Sequence, residues 1–119
     1  MEGAGGVLVP LNAKEFMADL MSALGLPVVI VASSQLGAIN HTLLTLEALR
    51  QRSITVAGVI LNGDPNADNR RAIETLGEVS VLGEMPRFIH LTAANLNNWS
   101  LTEFDPDGHL LHFLERSSV

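Results

Sequence analysis

The 119 residues contain no cysteine and only one lysine, and their seven basic residues are outnumbered by thirteen acidic ones. Without cysteine there are no disulfides, thiolate metal sites or thiol nucleophiles among these residues, a composition that suits a reducing cytoplasm. The formal net charge of -6 lacks the broad positive field that nucleic acid or an anionic bilayer attracts, so neither is an expected partner. No apolar run reaches the roughly 20 residues of a membrane-spanning helix, and the first residues lack the basic and apolar regions of a signal peptide. No internal repeat or low-complexity tract is present. A soluble, cytoplasmic protein is the expectation.

With 47% hydrophobic residues, the chain has the length and composition of one ordinary globular domain with a small core. Gly6 to Pro10 reads as a short strand. Ala13 to Leu24, with Phe16, Leu20, Met21 and Leu24 on one side, reads as an amphipathic helix stopped by Gly25. Pro27 to Ala32 is continuously apolar and β-branched, which predicts a central strand covered on both faces. A helix follows over 38–51, where Ile39, Leu43, Leu46 and Leu49 form a stripe widened by Leu44 and Ala48, broad enough for more than one neighbour. Further along come a strand at 54–61, a polar helix at 66–76, a strand at 79–82, and a last helix near 107–116 with Asp105 as cap and Pro106 at its first position. This alternation predicts an α/β fold, a parallel sheet with flanking helices, in one domain spanning the chain.

In parallel sheets, ligands collect beyond the carboxyl ends of the strands. Four loops are candidates for that edge: Glu2 to Gly6, Ser33 to Asn40, Asn62 to Pro65, and Glu84 to Phe88. Each has two readings. The glycines of the first either supply positive φ for a turn or bare backbone amides for an anion, with Glu2 binding a hard cation. Asn62-Gly63 is either a turn in which Asn62 satisfies its own backbone or an amide suited to the donor and acceptor edge of adenine. Gly37 and the amides after it either begin a helix or receive a carboxylate at its amino terminus, and His41 is a first-turn residue. His109 and His112 lack a third ligand, Arg70 and Arg71 read as a solvated helix face, and Trp99 and Phe104 read as anchors of an irregular tail.

Taken in order, "EGAGGVLVPL", "LGAINHTLLTLEALR", "AGVILNGDP" and "LGEMP" resemble segments of the dethiobiotin synthetases, ATP-dependent enzymes of biotin synthesis. Glycine-rich "EGAG" segments also occur in cobyric and cobyrinic acid amide synthases, but the second and third motifs are similar to dethiobiotin synthetase in particular. The resemblance covers residues 2 to about 88. In that family the EGAGG loop lies midway along a chain nearly twice as long, after a phosphate loop of G-x-x-x-x-G-K-[ST] type, a further catalytic lysine and a magnesium-binding aspartate. The single lysine here, Lys14, follows the glycine loop. The resemblance therefore implies the second half of a P-loop NTPase-like domain, inactive without its phosphate-loop half.

The family's reaction carboxylates an amine of diaminopelargonic acid, phosphorylates the carbamate with ATP, and closes the ureido ring as phosphate leaves. By resemblance, Glu2 is a magnesium ligand, and Gly3, Ala4 and Gly5 line the cleft for nucleotide and substrate. Asn62 and Gly63 recognise adenine, and Pro86, Arg87 and Phe88 frame it. Gly37, Ala38, Ile39 and Asn40 receive the substrate carboxylate, typically across a homodimer interface, here through the helix from Ala38 to Gln51. Gln35 stands where the family commonly has glycine, and the tail from Asn95 to Phe104 matches no family pattern. No residue of this half is assigned a catalytic role. Two function classes stay open: an enzyme part completed by a separate phosphate-loop polypeptide, and a non-catalytic interaction or regulatory module on the same fold. A fragment of an amide synthase is the weaker alternative.

Overall fold

Valine and isoleucine stiffen at χ1 and favour extended backbone, and each of the three strands among the described residues opens on a valine. In a computed structural model, which describes residues 2–3 and 5–117, they are β1 (Val28–Ser33), β2 (Val56–Asn62) and β3 (Val81–Met85). They form a parallel sheet in the order β1-β2-β3, so the expected α/β architecture is present. Five helices accompany it among the described residues: α1 (Met17–Leu24), α2 (Ala38–Gln51), α3 (Ala67–Gly77), α4 (Ala93–Thr102) and α5 (His109–Ser117).

Helices α2 and α3 are the β-to-β crossovers, and they pack on the sheet and on each other. Leu46 and Leu49 of α2, Ile73 of α3, Ile30 of β1, Val59 and Leu61 of β2 and Val81 of β3 form the buried core, joined by Ala18 of α1. The width of the α2 stripe is thereby explained in part. A Cβ at Gly77 would come within 2.9 Å of Leu46 and 3.2 Å of Leu43, so Leu43 faces α3, and Leu44 is the large side chain of this helix left exposed. Arg50 closes the far end of the same interface by donating to the carbonyls of Gly77 and Glu78 at 2.6 and 3.1 Å, satisfying carbonyls that a helix end leaves open.

Five sequence expectations are corrected. Residues Gly6 to Pro10 form a turn and not a strand: the carbonyls of Val7 and Val9 accept from Ala18 and Met17, the otherwise unpaired first amides of α1, and Pro10 makes only an isolated bridge with Phe16. Helix α1 accordingly begins at Met17 and not at Ala13, because the Asn12 side chain folds Lys14 and Glu15 into a turn and the Asp19 carboxylate caps the Phe16 amide. The helix does end at Gly25, at φ 64°. Strand β1 lies at the edge of the sheet and is covered on one face only; β2 is central. The tail contains a helix, α4, started by the Thr92 hydroxyl accepting from Asn95 at 3.1 Å. The last helix starts at His109, later than expected; the Asp105 carboxylate still caps it, accepting from Leu110 and Leu111, while Pro106 lies in the preceding turn.

Candidate functional site at the carboxyl edge of the sheet

Parallel strands deliver their following loops to one edge, and three of the four candidate loops meet there. Ser34, just past β1, donates its amide to the carbonyl of Asn62 at the end of β2 at 3.0 Å. Gly63, the next residue, donates its amide to the carbonyl of Met85 at the end of β3 at 2.9 Å. Gly63 sits at φ 131°, and a Cβ there would lie 2.5 Å from the Ser34 hydroxyl oxygen; glycine is needed both for the backbone angle and for the close approach of the loop after β1. The amino end of α3 strengthens the junction. Asn66 caps that helix by accepting from Asp68 and Asn69, and the Asn69 amide group donates to the Ser34 carbonyl at 3.2 Å.

Within this frame, Asn62 is exposed, and its carboxamide makes no hydrogen bond among the described residues, so the turn does not consume it. Because Asn62 is in register with Met85, the segment Pro86, Arg87, Phe88 begins directly beside it, with Arg87 exposed and Pro86 and Phe88 half-buried. Gly37 begins α2 at φ 93°, against the His41 imidazole. The Ala38 amide is engaged by the Gln35 carbonyl at 2.9 Å, whereas the amides of Ile39 and Asn40 have no acceptor among the described residues. A cavity of about 190 Å³ opens between the end of β1 and the first turns of α2, lined by Ile30, Ala32, Ser33, Gln35, Ala38 and His41 among others.

The loop Glu2 to Gly6 stands apart from this network. Glu2 and Gly5 are exposed, Gly3 packs against Met17 and Met21, and Ala4 lies outside the described residues. No hydrogen bond or ion pair links Glu2 to the other three loops among the described residues. No group of three His, Cys, Asp or Glu side chains gathers in a metal-binding arrangement among them either. Glu2 thus offers a single carboxylate, which suits an ion such as magnesium that takes its remaining ligands from water and phosphate, but does not amount to a site.

Sequence alone assigns no individual role to Ser34, Asn66, Asn69 or Glu84, although Ser34 and Glu84 fall within candidate loops. Asn66 carried a usable signal, an asparagine directly before a helix. Glu84 carried another: a carboxylate inside an apolar strand needs a partner, and here it has Arg70 at 3.7 Å. Arg70 is consequently no solvated face residue; it also pairs with Glu74 and donates to the Val81 carbonyl at 3.2 Å, while Arg71 is exposed as expected.

The family model described as "AAA domain" matches residues 1–95. The ATP-dependent dethiobiotin synthetase BioD of Lawsonia intracellularis is 48% identical over 103 residues, which are 87% of this chain and 51% of that protein. The BioD of Paramagnetospirillum magneticum is 52% identical over 96 residues, 81% of this chain and 47% of that protein. The biotin biosynthesis bifunctional protein BioCD of Bordetella avium is 51% identical over 100 residues, 84% of this chain and 22% of that protein. The chain spans about half the length of the dethiobiotin synthetases it matches, and no helix among its described residues is long and apolar enough to cross a membrane. With a parallel α/β sheet, its loops gathered at the carboxyl edge, and a family model covering most of its length, the chain belongs to the AAA domain family and resembles the dethiobiotin synthetases within it.

Proposed function

We propose that this chain supplies the adenine-recognising and carboxylate-receiving part of an ATP-dependent dethiobiotin synthetase, with the phosphate-binding part coming from a separate stretch of polypeptide. The observation that carries the reading is the 2.9 Å bond from Gly63 to Met85, which holds the unengaged carboxamide of Asn62 beside Pro86, Arg87 and Phe88. A carboxamide presents a donor and an acceptor together, matching the adenine edge, and two flanking half-buried side chains suit a flat base. The unpaired amides of Ile39 and Asn40, at a helix amino terminus beside a cavity, suit a carboxylate of the diamine substrate.

In that reaction an amine of diaminopelargonic acid attacks carbon dioxide and loses a proton to give a carbamate. A carbamate oxygen then takes the γ-phosphoryl group from ATP, releasing ADP, and the second amine attacks the activated carbonyl and expels phosphate. The work of the protein in such a sequence is positioning and charge compensation. Magnesium, when bound, offsets charge on the transferred phosphoryl group, and Glu2 would be one of its donors. Residues 1–119 contain neither the pattern G-x-x-x-x-G-K-[ST] nor a lysine other than Lys14. On this reading they are silent alone and active in the cytoplasm only together with a phosphate-loop half, while two copies associate through α2.

A second reading, a non-catalytic interaction module, draws on the exposed apolar side chains of β1. One experiment separates the two. ATP- and bicarbonate-dependent dethiobiotin formation is measured for the chain alone and after mixing with a phosphate-loop half. The synthetase reading expects a blank alone and product on mixing. Turnover by the chain alone, or a stable complex that makes nothing, contradicts it.

A further inference from the structure

We infer that Glu84 is a positioning residue for base recognition, an inference that rests on the nucleotide reading of the site. Its side chain is 18% exposed and lies on β3 one residue before Met85. One carboxylate oxygen accepts the backbone amide of Asn66 at 3.2 Å, and the other lies 3.7 Å from the Arg70 guanidinium. Asn66 is the cap of α3 and ends the loop that begins at Asn62. The loop Asn62 to Pro65 is therefore pinned at both ends to β3: by Gly63 on the Met85 carbonyl and by Asn66 on the Glu84 carboxylate.

The anchor itself is held from behind. The Glu84 carbonyl accepts the Trp99 indole N–H at 3.0 Å, and Arg70 is fixed by Glu74 at 3.3 Å and by the Val81 carbonyl at 3.2 Å. From Asn66 the network continues through the Asn69 amide to the Ser34 carbonyl, so the β1 loop shares the same reference point. Two of three charged groups in this cluster, Glu84 and Glu74, face one cation, Arg70. Removing Glu84 leaves the Asn66 amide without its acceptor and the loop free to pivot about Gly63, whose backbone already stands in the left-handed region. Asn62 itself stays in β2 between Ser33 and Met85, so the loss falls on Asp64 and Pro65, which no longer keep a fixed wall beside its carboxamide for the base edge. Glu84 makes no contact with the base in this scheme; it acts through Asn66.

The test uses the chain mixed with a phosphate-loop half. Glu84→Met fills the side-chain volume without an acceptor, Glu84→Ala removes both, and Glu84→Gln keeps an acceptor for Asn66. The Met and Ala variants are expected to raise the KM for ATP by about tenfold, the scale of one hydrogen bond to a charged acceptor, with kcat within about twofold and with weaker preference for ATP over GTP and CTP. Glu84→Gln should stay within about twofold of the wild type. A fall in kcat at unchanged KM, an equal loss for all three nucleotides, or a Gln variant as impaired as Met overturns the inference. The amide resonance of Gly63, followed by NMR during ATP titration of the same mixture, gives a readout that does not need turnover. If the wild type shows neither product nor a Gly63 response, the nucleotide reading fails and the inference with it. If the wild type responds and the Met variant responds identically, only the inference fails.

Discussion

The two edges of the sheet are finished differently. On β3 the carbonyls of Leu82 and Glu84 accept from the Asp105 amide at 2.6 Å and the Trp99 indole at 3.0 Å, and Gly83 lies so close to α4 that a Cβ there would meet Trp99 at 3.2 Å. That edge is closed by the chain itself. On β1, Val29 is 38% and Val31 65% exposed, no strand pairs beyond them among the described residues, and Leu26 and Leu36 nearby are exposed as well. An open parallel edge with apolar side chains is a template for a further strand, and proteins that keep such an edge in water usually blunt it with charge, proline or a covering element. Of these β1 has only Pro27, just before its first residue. The difference marks β3 as the covered edge among the described residues and, on the proposed function, β1 as the edge at which a phosphate-loop half is expected to dock.

The largest expected effect breaks the β1 side alone. Val31→Lys should leave the thermal midpoint of the isolated chain unchanged, because the side chain already faces solvent. In the mixture with a phosphate-loop half it should cut dethiobiotin formation by at least about a hundredfold, since an unpaired charge in an apolar interface costs several kcal/mol. Activity measured against a titration of the partner half checks this. Full activity in the variant would show that β1 is simply a bare edge.

On the β3 side the expectation is reversed. Trp99 is 9% exposed, donates to the strand and lies 5.6 Å from the Phe104 ring, centroid to centroid. Trp99→Ala should destabilise the isolated chain by about 3–5 kcal/mol, with or without any partner. Urea unfolding of the chain alone decides, and a loss below about 1 kcal/mol would mean that α4 does not seal the sheet.

The contrast between these edges also explains what the sequence could and could not reveal. The run Pro27 to Ala32 looks like a central strand because its composition suits burial on both faces, yet it forms an edge of the sheet among the described residues. Periodicity reports the burial a segment is suited to, not the neighbour that provides it. Helix α4 was illegible for the opposite reason. Asn95, Asn97, Asn98 and Ser100 are weak helix formers with no clear apolar stripe, and the helix is held by the Thr92 cap and by Trp99 docking on β3, a tertiary contact no local pattern records. At the carboxyl edge, the three loops were legible from strand ends and glycine placement. Their connections through Ser34, Asn66 and Glu84 were not, because those bonds join residues up to 35 positions apart.

Between the two edges, Gly63 tests whether the loops need their close contact. Alanine there must adopt a backbone angle that side chains rarely take and push against the Ser34 hydroxyl at 2.5 Å. Gly63→Ala should cost about 1–3 kcal/mol in urea unfolding, the range for backbone strain and overpacking. Gly6, which has nothing near its Cβ position and lies outside this junction, is the control; Gly6→Ala should change stability by less than about 0.5 kcal/mol. Similar costs at both positions would remove the special status of the junction.

The smallest effect on stability concerns the outer face of α2, the surface proposed for self-association. Leu43 is already used against α3, so replacing it would confound folding with assembly. Leu44 is 54% exposed and is the cleaner probe. Leu44→Glu should change unfolding free energy by less than about 0.5 kcal/mol, as for a surface substitution away from packed features. In sedimentation at micromolar concentration it should nonetheless shift a wild-type dimer toward monomer. The comparison with Val31→Lys then assigns the surface. Loss of the dimer in Leu44→Glu but not in Val31→Lys places self-association on α2 and reserves β1 for the completing half. The reverse result would mean that two copies meet through their β1 edges, and that the open side of the sheet is covered by the chain's own twin.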